Sequence, residues 1–511
     1  MKDKKRNLLC LIVSVFIFSG CFSAKTGSLK SFNALEQPDQ MNVNSKACAH
    51  YLRGLLYERQ GSLDRAVSEF SKAHNYDQDS TAVLTKLAAS YFRKGEFPHA
   101  IGALKKVFVL EPENIKARLL LAIIYTHMAR FEDASLLYKE VIELDPENKH
   151  ALLSIADLYV FEKKTEKAIL IYEQIVIKEQ PQHAFIYFNL GMLYLQIGKY
   201  DEAVRCLEQA LHLKSDYVEA YLCIGLVYEL KDEIGKSEQA YKSVINIMPK
   251  NCLAHFRLGS LYLGTDQDEK ALQQFQRVIE INPEIVEPYF EIARTYLKLD
   301  NPDAAIKILL SRENFIKEKA YFFLLLGIAN SVKDDFVLAE QYYHKALTEK
   351  PDYEAARFYL AVLYERQGKR DLSKQEFLLI IENNPDNSVA CNYLGYMYAE
   401  DGANLDKAIE LIKKAIKIEP KNGAYVDSLG WAYYKKGNLE YALKYLEQAV
   451  SLLDSDFEIH SHLGQVYFEK GCFSKARKHW ERSLKIKPAQ VEVKEKLENL
   501  IANNGKRGGK Q

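Results

Sequence analysis

The chain of 511 residues is longer than a single hydrophobic core usually serves, so it either divides into domains or grows as a repeat array. A hydrophobic share of 48% excludes disorder as the default state, and only 13 prolines among many Ala, Leu, Lys and Glu favour helix. Lysine plus arginine (69) equals aspartate plus glutamate (69), and a net charge of zero excludes a general attraction to nucleic acid or anionic lipid.

Lys2, Lys4, Lys5 and Arg6 open the chain, Leu8 to Phe18 is an apolar run, and Ser19-Gly20-Cys21 follows. The run is too short to span a bilayer as a stable helix, and its flanks suit an export signal. Phe18-Ser19-Gly20-Cys21 resembles the bacterial lipobox, in which small residues precede a cysteine that is lipidated and becomes the new N-terminus. Phe18 stands where leucine is usual. The expectation is a lipoprotein signal over 1–21 with lipid on Cys21; an ordinary secretory signal with an incidental cysteine is the alternative. Phe22 replaces the aspartate that often retains such lipoproteins in an inner membrane, which favours an outer membrane facing the periplasm. Residues 22–46 read as a polar tether, whose root-mean-square span as a flexible chain is roughly 25–30 Å.

Beyond the tether a small residue recurs at Gly54, Ala88, Ala122, Ala156, Gly191, Gly225, Gly259, Ala293, Gly327, Ala361, Gly395, Gly430 and Gly464. The step is 34 residues, except for 35 between Ala156 and Gly191 and between Gly395 and Gly430. Tyr stands three residues after each, with Asn330 the one exception. A second small residue follows twelve after the first, from Ala66 and Ala100 to Ala476; in the eleventh repeat it is Ala408, thirteen after, because of an insertion in the turn. Repeat seven shows the logic. Leu258, Leu261 and Tyr262 share one helix face by their spacing, and Ala271, Phe275, Val278 and Ile279 share another. Gly259 and Ala271 let the two backbones approach. Asn282-Pro283 ends the second helix, because proline disfavours helix at the residue before it, and the same punctuation recurs at Pro112, Pro146, Pro249, Pro351, Pro385, Pro420 and Pro488.

This pattern is that of the tetratricopeptide repeat (TPR) family, and the resemblance covers residues 47–488, about thirteen repeats. It implies an all-α solenoid of helix hairpins wound as a right-handed superhelix, each hairpin burying its apolar face against the next. Residues 489–501 fit a capping helix, with Val493, Leu497 and Leu500 inward, and 502–511 read as a disordered tail. Repeat eight lacks the closing proline, carries Arg312 where a small or aliphatic residue is usual, and precedes Asn330; a weak joint is expected over 310–335.

No catalytic constellation is present in the sequence, and no cofactor is expected. Gly235-Lys236-Ser237 lacks the first glycine and the strand of a phosphate-binding loop. His460 and His462 are two apart on a helix and face different ways. Cys48, Cys206, Cys223, Cys252, Cys391 and Cys472 contain no CxxC pair, which argues against a metal site; they read as small buried hydrophobes, with disulfides open to an exported chain. The expectation is a protein that is not an enzyme.

In the TPR family the first helices line a concave groove. At groove positions 5 and 9 this chain carries Tyr51, Leu55, Leu119, Ile123, Phe188, Met192, Leu222, Leu226, Leu324, Ile328, Phe358, Val362, Tyr396 and Trp431. Such an apolar, aromatic groove suits capture of a helix or an extended peptide, with Phe188, Met192, Leu226, Phe358 and Val362 as anchors. The family's Lys/Asn/Arg carboxylate clamp is not assembled, and its asparagine ladder is reduced to Asn189. Repeats eleven and twelve, with Asn392-Tyr393-Leu394-Gly395-Tyr396 and Asp427-Ser428-Leu429-Gly430-Trp431, look like a segment of bacterial envelope TPR lipoproteins. Some of those proteins are adaptors that bring substrates to a periplasmic protease. The resemblance places Asn392, Tyr396, Asp427, Ser428 and Trp431 on adjacent helices facing one groove. Asp427 capping local backbone and Trp431 packing on the neighbouring repeat are the other roles open to them. The function implied is a lipid-anchored scaffold that binds protein or peptide partners and no nucleic acid; a structural assembly factor for an export, pilus or polysaccharide machine is the alternative.

Overall fold

The computed structural model describes residues 43–179, 183–402 and 404–508. Cys21, the signal over 1–21 and the tether up to residue 42 lie outside them. Twenty-seven helices and no strand occupy the described residues. They run as thirteen pairs, from Val43–Arg59 with Leu63–Tyr76 to Phe457–Glu469 with Phe473–Ile486, and a last helix, Val491–Gly508, follows. Two boundaries move. The first helix begins at Val43, inside the stretch read as tether, and the last continues through 502–508, read from sequence as disordered tail. The chain gathers into two compact units, Met1–Leu261 and Tyr262–Gln511.

The turn inside every repeat holds a residue at positive φ, seven positions after the small residue. Glycine fills it seven times (Gly61 and Gly95, for example); Ala129, Lys163, Asp232, Asp266, Asp300 and Asp334 fill the rest. Repeat eleven adds Asn404 at φ 55° as the helix N-cap, so its one-residue insertion sits in this turn. Between repeats, proline and asparagine act together. The residue before each of these prolines leaves the helix, and after five of them an asparagine two residues on caps the next helix. Asn114 Oδ1 accepts from Ala117 N (2.9 Å), and Asn148, Asn251, Asn387 and Asn422 repeat the bond.

The small residues act as expected from sequence. A Cβ on Gly327 would lie 2.5 Å from Tyr343 Cε1, and one on Gly225 would lie 2.6 Å from Tyr241 Cε1. Successive repeats are also stitched by polar bonds the sequence reading did not foresee. The recurrent tyrosine donates to a glutamate one repeat back, as Tyr228 does to Glu208 (3.3 Å), Tyr364 to Glu340 (3.0 Å) and Tyr467 to Glu447 (2.5 Å). A lysine in the turn region pairs with an aspartate thirty positions earlier: Lys94 with Asp64, Lys231 with Asp201, Lys333 with Asp303 and Lys436 with Asp406. Each exposed pair is screened by solvent and contributes little alone, but the series recurs in register along the stack.

The second helix of repeat eight is short, Pro302–Leu310, against fourteen residues for most of its counterparts. Residues 311–318 are turn and irregular. Arg312 there donates through Nε to Tyr289 Oη (2.8 Å) and lies over the Tyr289 and Phe315 rings. The apolar core nevertheless continues through Leu309, Ile316 and Phe322, and Asn330 is buried with its amide donating to Leu326 O (2.7 Å). The expected weakness over 310–335 therefore narrows to 311–318. At the far end Val493 and Leu500 are buried against repeat thirteen, with Leu497 beside them, and Gln490 Nε2 donates to Ser483 O (3.0 Å) and Lys487 O (2.8 Å).

Candidate functional site

At repeats five and six the apolar groove expected from sequence is filled by the protein itself. Phe188, Met192 and Leu226 are buried in one cluster with Leu190, Leu193 and Ile224, and Phe188 meets the Tyr217 ring at 5.0 Å. The helix Ala184–Gln196 is apolar on nearly every side, and most of it is buried, with Phe185 left exposed. These three residues are core, which corrects their expected role as anchors.

The second unit differs. Phe358 and Val362 are half-buried, and Phe358 meets Phe377 (5.9 Å) and Tyr393 (5.5 Å) edge-on. Tyr359 and Tyr393 remain exposed. They sit on the first helices of repeats ten and eleven, Glu354–Arg366 and Ser388–Glu400, and the first helices of repeats twelve and thirteen, Gly423–Lys435 and Phe457–Glu469, follow. Asp427 is buried, and both its carboxylate oxygens face His462 Nδ1 (3.1 and 3.0 Å), one repeat ahead. Burial alone would push the His462 imidazole down, but the Asp427 carboxylate reverses this and holds it above its ordinary value. Trp431 stacks on His462 (4.0 Å) and Tyr434 (4.7 Å), and its indole N–H donates to Glu400 one repeat back. The Lys435 ammonium lies over the Trp431 ring (5.3 Å) and 3.5 Å from Glu400.

Trp431 thus does what its alternative reading held, packing on the neighbouring repeats, whereas Asp427 pairs with a side chain one repeat ahead and does not cap local backbone. Ser428 is buried and its hydroxyl donates its one proton to Ala424 O (3.0 Å), which leaves it no donor to offer a peptide. Asn392 and Tyr396 are half-buried on the helix before, and Asn392 Oδ1 has no hydrogen-bond partner. Burial, then the charges of Glu458, Glu400, Asp427 and Glu365, push the Tyr396 phenol far above its ordinary value.

Glu365, Glu400, Glu458 and His462 were missed by sequence reading. The available signal was the repeat period: His462 stands 35 residues after Asp427, and Trp431 bonds Glu400, 31 before it. His460 points elsewhere, as the spacing predicts, with its Nδ1 3.0 Å from His479 Nδ1. Among the described residues no three His, Cys, Asp or Glu side chains converge to hold a metal ion. The six cysteines are free; Cys223 and Cys391 are buried, Cys206 and Cys252 are half-buried, and Cys48 and Cys472 are exposed, so the buried-hydrophobe reading holds fully for two. Ser237 is fully buried as the repeat's small residue. No helix among the described residues is long and apolar enough to cross a membrane.

Stacked hairpins with a shared first-helix face define a protein-interaction solenoid, and the similarities agree. Tetratricopeptide repeat models match residues 115–148, 174–205, 254–285, 333–391, 390–422 and 457–490, and a TPR repeat model matches 191–232 and 430–471. The chain belongs to the tetratricopeptide repeat family, whose members generally act as non-catalytic scaffolds for protein–protein interaction. A TPR repeat-containing protein of Pseudomonas aeruginosa is 30% identical over 115 residues, which span 22% of this chain and only 20% of that protein. The photosystem I assembly protein Ycf3 of Prochlorococcus marinus is 26% identical over 145 residues, 25% of this chain and 82% of Ycf3. Among solved structures, the APC/C hetero-tetramer Cut9–Hcn1 is 17% identical with a TM-score of 0.35, covering 89% of this chain and 96% of that one. MamA is 27% identical with a TM-score of 0.31, covering 32% of this chain and 95% of MamA.

Proposed function

We propose that this chain is a scaffold of the bacterial cell envelope, held to a membrane by lipid on Cys21, that captures partner proteins on the first-helix face of repeats ten to thirteen. The observation that carries the capture is the aromatic and carboxylate surface of half-buried Phe358, Tyr396, Glu400 and Trp431 beside exposed Tyr393. The groove of repeats five and six is self-filled, so capture concentrates in the second unit. Delivery of captured proteins to a periplasmic protease is the use that fits an anchored adaptor. The basic, apolar and small-residue order before Cys21 supports the anchor, and the outer membrane is its expected place.

A photoreactive residue at Tyr393, in full-length protein within its native envelope, tests the capture. Partners crosslinked there and not from an exposed position on the opposite helices, such as Lys444, support it; equal yields from both refute it. Cys21→Ser tests the anchor: the protein is expected to leave the membrane fraction, and unchanged membrane association overturns lipid attachment. The second reading, a structural assembly factor, draws on the name of the Ycf3 relative. Co-purification at fixed stoichiometry selects it over a transient adaptor.

A further inference from the structure

We infer that a contact between two histidines makes the last repeat acid-sensitive: His460 and His479 hold the two helices of repeat thirteen together while at least one of their facing Nδ1 atoms is unprotonated, and release them when both carry a proton. His460 lies on the first helix, Phe457–Glu469, and His479 on the second, Phe473–Ile486. Their Nδ1 atoms are 3.0 Å apart, with ring centroids at 5.3 Å and planes 25° apart, so the rings meet edge to edge. A hydrogen bond at that distance needs one donor and one acceptor. His460 Nε2 settles which is which. It lies 3.0 Å from Asp454 O, and a carbonyl only accepts, so the His460 proton sits on Nε2 and its Nδ1 is the acceptor. His479 Nδ1 is then the donor. One further proton, on His479 Nε2, leaves this bond in place. The next puts protons on both facing atoms and sets two like charges at hydrogen-bond distance.

His460 has no room to turn from that clash, being 2% exposed and held at its other nitrogen. The surrounding groups give little relief. Asp454 brings one carboxylate oxygen within 3.4 Å of His460 Nε2, but its other oxygen is taken by Arg482 (2.7 Å). Glu447, from repeat twelve, accepts from the Tyr467 hydroxyl; the Tyr467 ring stacks on His479 (5.6 Å) and carries the Lys475 ammonium above it (5.0 Å). The last helix adds apolar Val493 and Leu500 to the core of this repeat, and His462 turns to Asp427. Burial, then the charges of His460 and Lys478, push the His479 imidazole down to about 4, against the pull of Glu447 and Asp454. In the unfolded chain the same ring takes its proton at about 6.5. The folded repeat binds one proton fewer in between, so stability present above the unfolded value is lost as pH falls from about 6.5 towards about 4. His462 has the opposite sign, its contribution being fully present in that window, and does not produce the loss.

The test follows amide exchange in the full chain at pH 7 and pH 5, with each rate corrected for intrinsic exchange. Protection of Phe473–Ile486 is expected to fall about twentyfold at pH 5, while that of Asp268–Ile281 in repeat seven, which carries no histidine, stays within about twofold. An equal fall in both helices is general acid loosening and overturns the inference, as does no fall in Phe473–Ile486. His479→Gln replaces the ring with an amide that donates to His460 Nδ1 or, turned over, accepts from it, so the contact survives every protonation state. That variant is expected to keep its pH 7 protection at pH 5; a fall as large as in the unaltered chain overturns the inference. Ring-nitrogen resonances of the unaltered chain at pH 7 give a second measurement that needs no variant. Protons on His460 Nε2 and His479 Nδ1 are expected, and protons on Nε2 of both rings leave no shared bond and overturn the assignment.

Discussion

Asp427→Asn isolates the electrostatic part of the repeat twelve–thirteen junction. Asp427 and His462 are 5% and 7% exposed, and the carboxylate meets Nδ1 at 3.0 Å. Removing one partner of a buried ion pair costs about 3–5 kcal/mol where the other charge is trapped. His462 is not trapped, because it can release its proton, so the loss is capped near that of a charged hydrogen bond, about 1.5–3 kcal/mol. The pH dependence follows from the direction of the shift. The folded His462 imidazole lies above its unfolded value, so its stabilisation is fully present below the unfolded value and is lost as pH rises through the folded one. Asp427→Asn is therefore expected to destabilise strongly at pH 6 and much less at pH 9. Glu458 and Glu400 also act on the imidazole and reduce the contrast without reversing it.

The assay is built into the chain. Its two tryptophans, Trp431 and Trp480, lie in repeats twelve and thirteen, so urea unfolding followed by tryptophan emission reports these repeats alone. With a slope of about 2 kcal/mol/M, a loss of about 2 kcal/mol moves the midpoint by about 1 M at pH 6. A midpoint difference equal at pH 6 and pH 9 would show a neutral hydrogen bond, and no difference at either pH would show that the pair contributes nothing; either refutes the reasoning.

Three further predictions concern the fold. Lys163 is an exposed non-glycine residue at φ 58°, so Lys163→Gly relieves left-handed strain of about 1–2 kcal/mol at an entropic cost of about 0.5–1, and slower amide exchange in Lys149–Phe161 is expected; faster exchange contradicts the strain. Gly327→Ala drives a methyl into Tyr343 and is expected to cost about 1–3 kcal/mol in thermal unfolding, while Gly102→Ala, with nothing within 4 Å of the new Cβ, is expected to stabilise by about 0.5–1; the reverse order refutes the close-approach argument. In repeat eight, amides 311–318 are expected to exchange faster than those of Lys319–Val332, and equal protection across both removes the joint.

The repeat frame was legible because it rests on local rules. Proline at one end, a left-handed residue in the turn and a small residue at the helix crossing each act within a few residues of themselves. Groove chemistry was legible only in part, because position 9 carries two signals at once. An apolar residue there is half-buried when its helix has a polar side and buried when it has none, and this separates Val362 from Met192 and Leu226. The almost wholly apolar run of Ala184–Gln196 carried that information, and reading one groove position at a time discards it.

The polar half of the site was illegible for a different reason. Its bonds run along the stack rather than along a helix. Asp427 reaches 35 residues forward and Trp431 reaches 31 back. Helical spacing alone assigns such residues to faces and leaves them without partners. Placing each residue beside the one a repeat away turns Glu400, Trp431 and His462 into one chain of contacts across three hairpins. The same chain ties recognition to stability. A partner group that engages Glu400 competes with Lys435 and Trp431 for that carboxylate, and so touches the contact by which repeat twelve holds repeat eleven. Binding on this face is thereby coupled to how firmly its own repeats are stacked, and a partner that docks there should move the urea midpoint seen by tryptophan as well as the binding signal.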